Sequence, residues 1–255
     1  MKRLIINGDD FGMCEGVSLG ILKAYKHGIL RSTTMMVNMP YARGAATLAK
    51  ECPDLGIGLH LTLTIGRPIL NPKEVPTLVD ENGNFLSHDW HLKNANSSND
   101  QLNYEEIYKE FQAQMERFIE LNSKLPTHID SHHFISSLPR IHECTKKLIQ
   151  KYDLPTRFDE SWVYSDYEKP TFSKKFYANN VDTHFFTDNQ EHLFDHELVE
   201  IMTHPAFVDQ YLLENSSYNI ARTKELDVLC QDKVKQWIKE NEIELINFTQ
   251  LNKIK

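Results

Sequence analysis

A parallel α/β barrel, TIM-like in its alternation but distorted or short of a full eight strands, is the fold this sequence predicts. Three observations carry that expectation. Short apolar strands alternate with helically spaced segments about eight times. No linker rich in Gly, Ser or Pro divides the chain into halves. The length of 255 residues, 40% hydrophobic and 25% charged, suits one large unit of the size α/β barrels reach. One domain over residues 1–255 is expected, interrupted by a long inserted loop over 64–103.

The first strand, Arg3-Leu4-Ile5-Ile6, empties within two residues into Asn7-Gly8-Asp9-Asp10-Phe11-Gly12. An apolar strand ending in adjacent carboxylates, with glycine on either side, has the form of a strand end that delivers acidic groups to a site. Adjacent side chains on an extended backbone point apart, so one carboxylate could hold a metal while the other faces a substrate. The competing reading is an acidic turn in which Asp9 or Asp10 caps the next helix, from about Glu15 to His27. Arg31 to Val37 reads as a second strand and Tyr41 to Glu51 as a second helix. In Gly56-Ile-Gly-Leu-His-Leu-Thr-Leu63, Leu59, Leu61 and Leu63 share one face while His60 and Thr62 share the other. That period of two turns His60 away from the leucine layer. Thr64 to Asn103 is rich in Pro, Asn, Gly and Asp, and an insertion this long is more often functional, such as a lid, than idle.

Helical spacing returns at Tyr104 to Asn122 through Ile107, Phe111, Met115, Phe118 and Ile119. Pro126-Thr-His-Ile-Asp-Ser-His-His-Phe134 follows, then a helix near Arg140 to Tyr152 and a short strand around Pro155 to Phe158. Ser161 to Asn180 is irregular, and the aromatic residues Trp162, Tyr164, Tyr167, Phe172 and Tyr177 there and nearby suit either a sugar-stacking platform or a packed core. Val181 to Phe186 and Leu198 to Thr203 are strand candidates, with a helical turn between them in Asp188 to His196. Thr223 to Glu240 reads as the last long helix and Ile243 to Phe248 as the closing strand.

The net charge of −8 argues against a nucleic-acid or anionic-membrane surface as the main partner. Cys14, Cys52, Cys144 and Cys230 lie far apart with no CxxC spacing, which implies free thiols in a reducing compartment, hence cytoplasm. Met1-Lys2-Arg3 leads into a strand too short for a signal segment, and no apolar run approaches the about 20 residues of a membrane span. Twelve histidines is a high count, though His27, His88, His91 and His142 sit in polar contexts that suit solvated side chains.

In a barrel the chemistry lies at the C-terminal ends of the strands, and four polar clusters fall at such ends. They are Asp9-Asp10, His60, the run His128-Ile-Asp130-Ser-His132-His133, and His204 just before Pro205. At period two, His128, Asp130 and His132 line one face, a poor choice for a core unless they bind something or one another. One Asp plus two His is a familiar set for an exchangeable divalent ion with positions open to water and substrate. His60 is the sole candidate on its strand. His132 lies nearest the strand end, with His128 about 13 Å deeper at about 3.3 Å per residue. His132 is therefore the preferred ligand, with Asp130 as an orienting acceptor behind the ligands, while the choice between His128 and His132 stays open.

These residues carry a resemblance. Asn-Gly-Asp-Asp-Phe-Gly near the start, Gly58-Leu-His-Leu-Thr-Leu-Thr64 with Gly66 and Pro68, Pro126-Thr-His-Ile-Asp-Ser-His-His133, His204-Pro205, and Tyr218 with Arg222 and Glu225-Leu226 resemble the YdjC-like carbohydrate deacetylase family, which includes chitooligosaccharide deacetylases. The matches keep the family's order from residue 5 to about 229. The resemblance implies a barrel related to polysaccharide deacetylases and removal of an N-acetyl group from a small sugar. It also implies a divalent metal of the magnesium type, with zinc as the alternative, at Asp10, His60 and His132. Two departures stand out: Phe134 and Ser136 occupy positions where family members often carry further histidines, and Gly8 stands where alanine is common.

On that reading Asp9 takes a proton from the attacking water and His204 protonates the departing amine, although the roles of Asp9 and Asp10 are interchangeable at the level of sequence. Arg157 either orients Asp9, contacts substrate or is a surface arginine. Tyr218, Arg222 and Glu225 fit one face of a helix start, where a surface salt bridge is the competing explanation. The expected partner is a small acetylated carbohydrate, with no nucleic acid and no membrane, and a homodimer is a candidate assembly. The rival functions are another metal-dependent barrel enzyme acting on sugars, an isomerase or phosphohydrolase, and a non-catalytic sugar binder.

Overall fold

A computed structural model describes residues 1–157 and 166–254. Its strands are β1 (Arg3–Phe11), β2 (Ser32–Met35), β3 (Gly56–Leu61), β4 (Ile129–Ser131), β5 (Thr171–Ser173), β6 (Leu198–Thr203) and β7 (Glu244–Leu245). Every pairing among them is parallel, in the order β4-β3-β2-β1-β6-β5, with β7 joined to the start of β1. A single parallel bridge between Ile129 and Thr156 extends the sheet beyond β4. The sheet curls as a half-barrel, so the expected α/β barrel short of regular closure is what the chain forms.

The helices are α1 (Glu15–His27), α2 (Ala42–Ala49), α3 (His88–Ala95), α4 (Tyr104–Asn122), α5 (Pro139–Tyr152), α6 (His184–Thr187), α7 (Gln210–Asn215), α8 (Ala221–Cys230) and α9 (Asp232–Glu240). Strands β2, β3, β4 and β6 are buried along their whole length, as is β1 after Arg3, because helices cover the outer face and side chains fill the inner one. This explains why β1 and β6 read as apolar runs rather than as alternating ones. Helix α4 starts where Asn103 caps the Glu105 amide and stops where Ser123 adopts a left-handed φ of 55°. Its Phe111, Met115 and Phe118 are fully buried, each contributing roughly 1.5–3 kcal/mol of apolar burial.

The other side of α4 is polar, half-buried at Glu106 and fully buried at Glu110 and Gln114, and it fastens the inserted segment and the chain leading into it. At successive fourth positions, Glu106 accepts the Thr77 amide and hydroxyl, Glu110 accepts the Ile69 and Leu70 amides, and Gln114 bonds both backbone groups of Thr62. The insertion is itself partly ordered, with short 3-10 turns at Pro72–Glu74 and Pro76–Leu78 and the helix α3. His91, expected to be solvated, is fully buried and its Nε2 meets the Leu63 carbonyl at 3.0 Å.

Several sequence expectations are corrected. Val181 to Phe186 is not a strand but a turn leading into α6, since Phe185 and Phe186 pack into one aromatic cluster with Phe176. The strand beside β6 is instead β5, inside the stretch read as irregular. The helix expected over Thr223 to Glu240 is two, broken at Gln231, whose φ/ψ of −67°/138° is extended. The closing strand shrinks to β7, and Phe248–Gln250 forms a 3-10 turn under an Asn247 capping box. Phe158, Trp162 and Tyr164 lie outside the described residues.

Candidate active site

The acidic pair is delivered by an irregularity in β1. Its register against β2 shifts between Gly8 and Phe11, and Asp10 takes a left-handed φ of 73°. In a regular strand Asp9 and Asp10 would face opposite sides of the sheet; here both carboxylates line one cavity of about 450 Å³. Gly8 fits its surroundings for a local reason, because a Cβ there would stand 2.8 Å from Leu30 Cδ1.

Asp10 is the focus. Its Oδ1 lies 3.3 Å from His60 Nε2 and 2.9 Å from His132 Nδ1, and its Oδ2 accepts Arg222 Nη2 at 2.8 Å. His60 comes from β3, and its Nδ1 lies 2.6 Å from Asp130 Oδ1, so Nε2 is turned toward Asp10. Asp130, on β4, also accepts the Thr34 hydroxyl at 3.0 Å. His132 is brought in just past β4, where His133 and Phe134 take consecutive left-handed φ values of 56° and 51°. The two edge-on imidazoles have ring centroids 5.5 Å apart.

Asp9 answers to a different cation. Arg157 grips it with two bonds, Nη1 to Oδ2 at 2.8 Å and Nη2 to Oδ1 at 2.7 Å, while Asn7 Nδ2 donates to Oδ1 at 2.8 Å. The same guanidinium donates through Nε to Glu200 Oε1 at 2.7 Å and pairs with Asp130 Oδ2 at 3.0 Å. Arg157 is thus a buried hub, which corrects the surface alternative. Burial works against an ionised Asp9, but the Arg157 charge outweighs it and holds the carboxyl at about 2. For Asp10 burial is likewise overcome, by Arg222 and His132, and its carboxyl lies well below the usual range.

On the opposite wall, Glu225 is fully buried and accepts the His204 amide at 2.5 Å and the Tyr218 hydroxyl at 2.5 Å. His204 Nδ1 stands 3.8 Å from Glu225 Oε1. Arg222 pairs with Asp10 rather than with Glu225, and its Nε donates to the Tyr218 carbonyl at 2.7 Å. The surface salt bridge considered for this trio is replaced by a buried network. Tyr177 stacks on Tyr218 with centroids 4.0 Å apart and also lines the cavity.

Asp9, Asp10, His60, His132, His204, Tyr218 and Arg222 therefore line one cavity, and Asp130 and Arg157 hold them from behind. His128 is not among the lining residues. It lies flat against Phe248, rings 3.6 Å apart, and fits beside Gly58, where a Cβ would sit 2.5 Å from the imidazole. Burial pushes its pKa far down, and its Nε2 has no hydrogen-bond partner among the described residues. Sequence reasoning passed over Glu200, whose trace was a single charge inside the apolar run Leu198 to Thr203, and Lys174, His88 and the wall formed by Phe134. Lys174 Nζ stands 5.1 Å over the Phe134 ring.

The donor set fits a divalent ion. Ligand atoms of Asp10, His60 and His132 lie within 4.8 Å of one another, all three side chains buried. Asp9, His60 and Asp130 form a second such group, but Arg157 already supplies the cation to both of its carboxylates. Around the cavity the buried carboxylates Asp9, Asp10, Asp130 and Glu225 stand with two buried arginines, Arg157 and Arg222, while burial raises a fifth carboxyl, Glu200, to about 7. Burying such an excess of negative charge is costly, so further positive charge at Asp10 is favoured. His60 reports the same field: burial pulls its pKa down, yet Asp130 and Asp10 push it up to about 10.

A curled parallel sheet carrying a buried Asp-His-His cluster at its strand ends defines a class of α/β proteins with a candidate hydrolytic centre. Within that class the chain belongs to the YdjC-like protein family, whose model matches residues 3–240. It is 40% identical over 258 residues to a carbohydrate deacetylase of Brevibacillus brevis, covering 98% of this chain and 99% of that one. It is 37% identical over 256 residues to carbohydrate deacetylase 2 of Listeria innocua, covering 98% and 99%. A crystal structure of an Enterococcus faecalis V583 protein named for cellobiose-phosphate cleavage superposes with a TM-score of 0.88 at 35% identity, covering 97% of each chain.

Proposed function

We propose that this protein removes the N-acetyl group from a small acetylated sugar or oligosaccharide, using a divalent ion of the magnesium type held by Asp10, His60 and His132. The observation that carries the reading is the convergence of those three side chains with Asp9 and His204 on one cavity, in a chain whose relatives are named carbohydrate deacetylases. Bound there, the ion would polarise the acetyl carbonyl and make water more acidic.

The remaining work falls to the chain itself. Asp9 accepts the proton of the attacking water; Arg157 keeps it ionised and fixes its direction through the paired bonds. A carboxylate held near 2 is a weak base, so Asp9 suits only a water that is already acidified. Asp130 sets the orientation of His60 through Nδ1, leaving Nε2 toward Asp10. His204, anchored by its amide on Glu225, protonates the departing amine. Tyr177 and Tyr218 offer stacked ring faces beside it that suit the apolar face of a pyranose.

The test is acetate release from N-acetylglucosamine and N,N′-diacetylchitobiose before and after chelation, with metal added back. Release that stops on chelation and returns with magnesium or zinc supports the reading. Release unaffected by chelation would remove the metal from it, and binding of these sugars without turnover would leave a sugar binder instead.

A further inference from the structure

The inserted segment contributes Ile65 and His88 to the cavity lining, and His88 is a histidine that the proposed chemistry does not use. His132 lies against His133 with ring centroids 3.8 Å apart, and His133 lies against His88 at 4.8 Å. The three imidazoles form a row that starts beside Asp10, with His132 buried, His133 exposed and His88 at its far end half-buried, all three lining the cavity. The middle ring, His133, is occupied: its Nδ1 meets the Thr64 hydroxyl at 3.1 Å. Among the described residues the ring nitrogens of His88 have no hydrogen-bond partner and no carboxylate pairs with them.

His88 is also held in place. It is the first residue of α3, whose start is capped by the Ser87 hydroxyl accepting the Trp90 amide at 3.2 Å. One turn on, and so on the same face, buried His91 fastens the helix to the Leu63 carbonyl. The insertion that carries α3 is tied down by Glu106 and Glu110. A polar group with open valences, fixed by buried bonds and set in a cavity wall, is the arrangement by which a site recognises a ligand at low ordering cost.

We infer that His88 is a specificity-determining residue that hydrogen-bonds a hydroxyl of the sugar unit next to the one whose acetamido group reaches Asp9 and Asp10. This rests on the deacetylase reading for the identity of the ligand. Because the contact is to a neighbouring unit, His88 affects binding of a disaccharide and leaves the bond-breaking step alone.

The experiment compares wild type with His88→Ala, His88→Asn and His88→Phe on N-acetylglucosamine and N,N′-diacetylchitobiose, with thermal melting as a folding control. For His88→Ala the expected result is a KM for the disaccharide raised about tenfold, with kcat and the KM of the monosaccharide within about twofold. His88→Asn should recover part of that loss, because it keeps a donor and an acceptor, and His88→Phe should not. Equal losses on both sugars, no loss on either, or full recovery by His88→Phe would overturn the assignment. If wild type releases no acetate from either sugar, the deacetylase reading fails by itself. Calorimetric binding of the disaccharide then decides His88: weaker binding by His88→Ala supports the contact, and unchanged or undetectable binding by both proteins overturns it.

Discussion

At the scale of single residues, the site is two cations' worth of geometry built from carboxylates. Arg157 gathers Asp9, Asp130 and Glu200 around one guanidinium, and Asp10 collects two imidazoles and Arg222. Replacing Arg157 by Met strips the shared partner from three buried acids. The expected cost is about 3–5 kcal/mol, read from urea midpoints, with acetate release lost as well. Arg157→Lys restores charge but not the paired bonds to Asp9, so it should recover stability more than activity. His60→Ala or His132→Ala should lower acetate release at least about 100-fold and lower retained metal, measured by elemental analysis after dialysis. Full activity with full metal content would overturn the assignment of these ligands. Much of this was legible in the sequence, because Asp, His and the HxDxH spacing betray polar groups at strand ends. Glu225 and Arg222 were legible as a pair but not as partners of other groups. Helical spacing says which residues share a face, and it says nothing of what that face meets.

At the scale of elements, α4 decides how the insertion is held. Its outline was fully readable from apolar spacing, yet the line of half-buried Glu106 and buried Glu110 and Gln114 was invisible, because polar residues at helical spacing look like a solvated face. Glu110→Ala would leave the Ile69 and Leu70 amides without their acceptor, at an expected cost of about 2–4 kcal/mol in chemical unfolding. His91 gives the same region a pH dependence. Burial pulls its pKa below the usual 6.5, with the Leu63 carbonyl partly opposing. The unfolded chain therefore takes up this proton first, and the stability His91 supports is present above about pH 6.5 and declines below it. His91→Gln should flatten that part of the stability profile, and an unaltered slope would count against the buried neutral imidazole. Apart from the break at Gln231, the misread segments were short ones: β5, α6 and β7 are set by packing against neighbours rather than by a pattern of their own.

At the scale of the whole molecule, the alternation of apolar strands and amphipathic helices was enough to specify a parallel α/β barrel, distorted or short of eight strands, whereas the degree of closure, a half-barrel, depends on contacts that no local pattern encodes. The ends of the chain are drawn together on β1. Arg3 forms two bonds of 3.0 Å with Glu168, which also accepts the Asn252 amide at 2.9 Å. The Arg3 bond brings the Glu168 carboxyl down to about 2 from its usual 4.5. Its contribution is complete above about pH 4.5 and fades as pH falls toward 2, so Glu168→Gln should lower stability slightly at neutral pH, the pair being half-exposed, and remove that part of the acid slope, with the variant and wild type converging near pH 2. The position of β1 between β2 and β6 has a further effect. During synthesis the first strand emerges with Ser32–Met35 close behind it, but the partner on its other side starts only at Leu198. At ribosomal rates that gap lasts roughly 10–40 s, during which one edge of the nascent strand stands open and Asp10 waits for the arginine at 222. The acidic centre is thus assembled last, and a chain cut short before α8 would leave the ribosome with its carboxylates in place and their counter-charge missing.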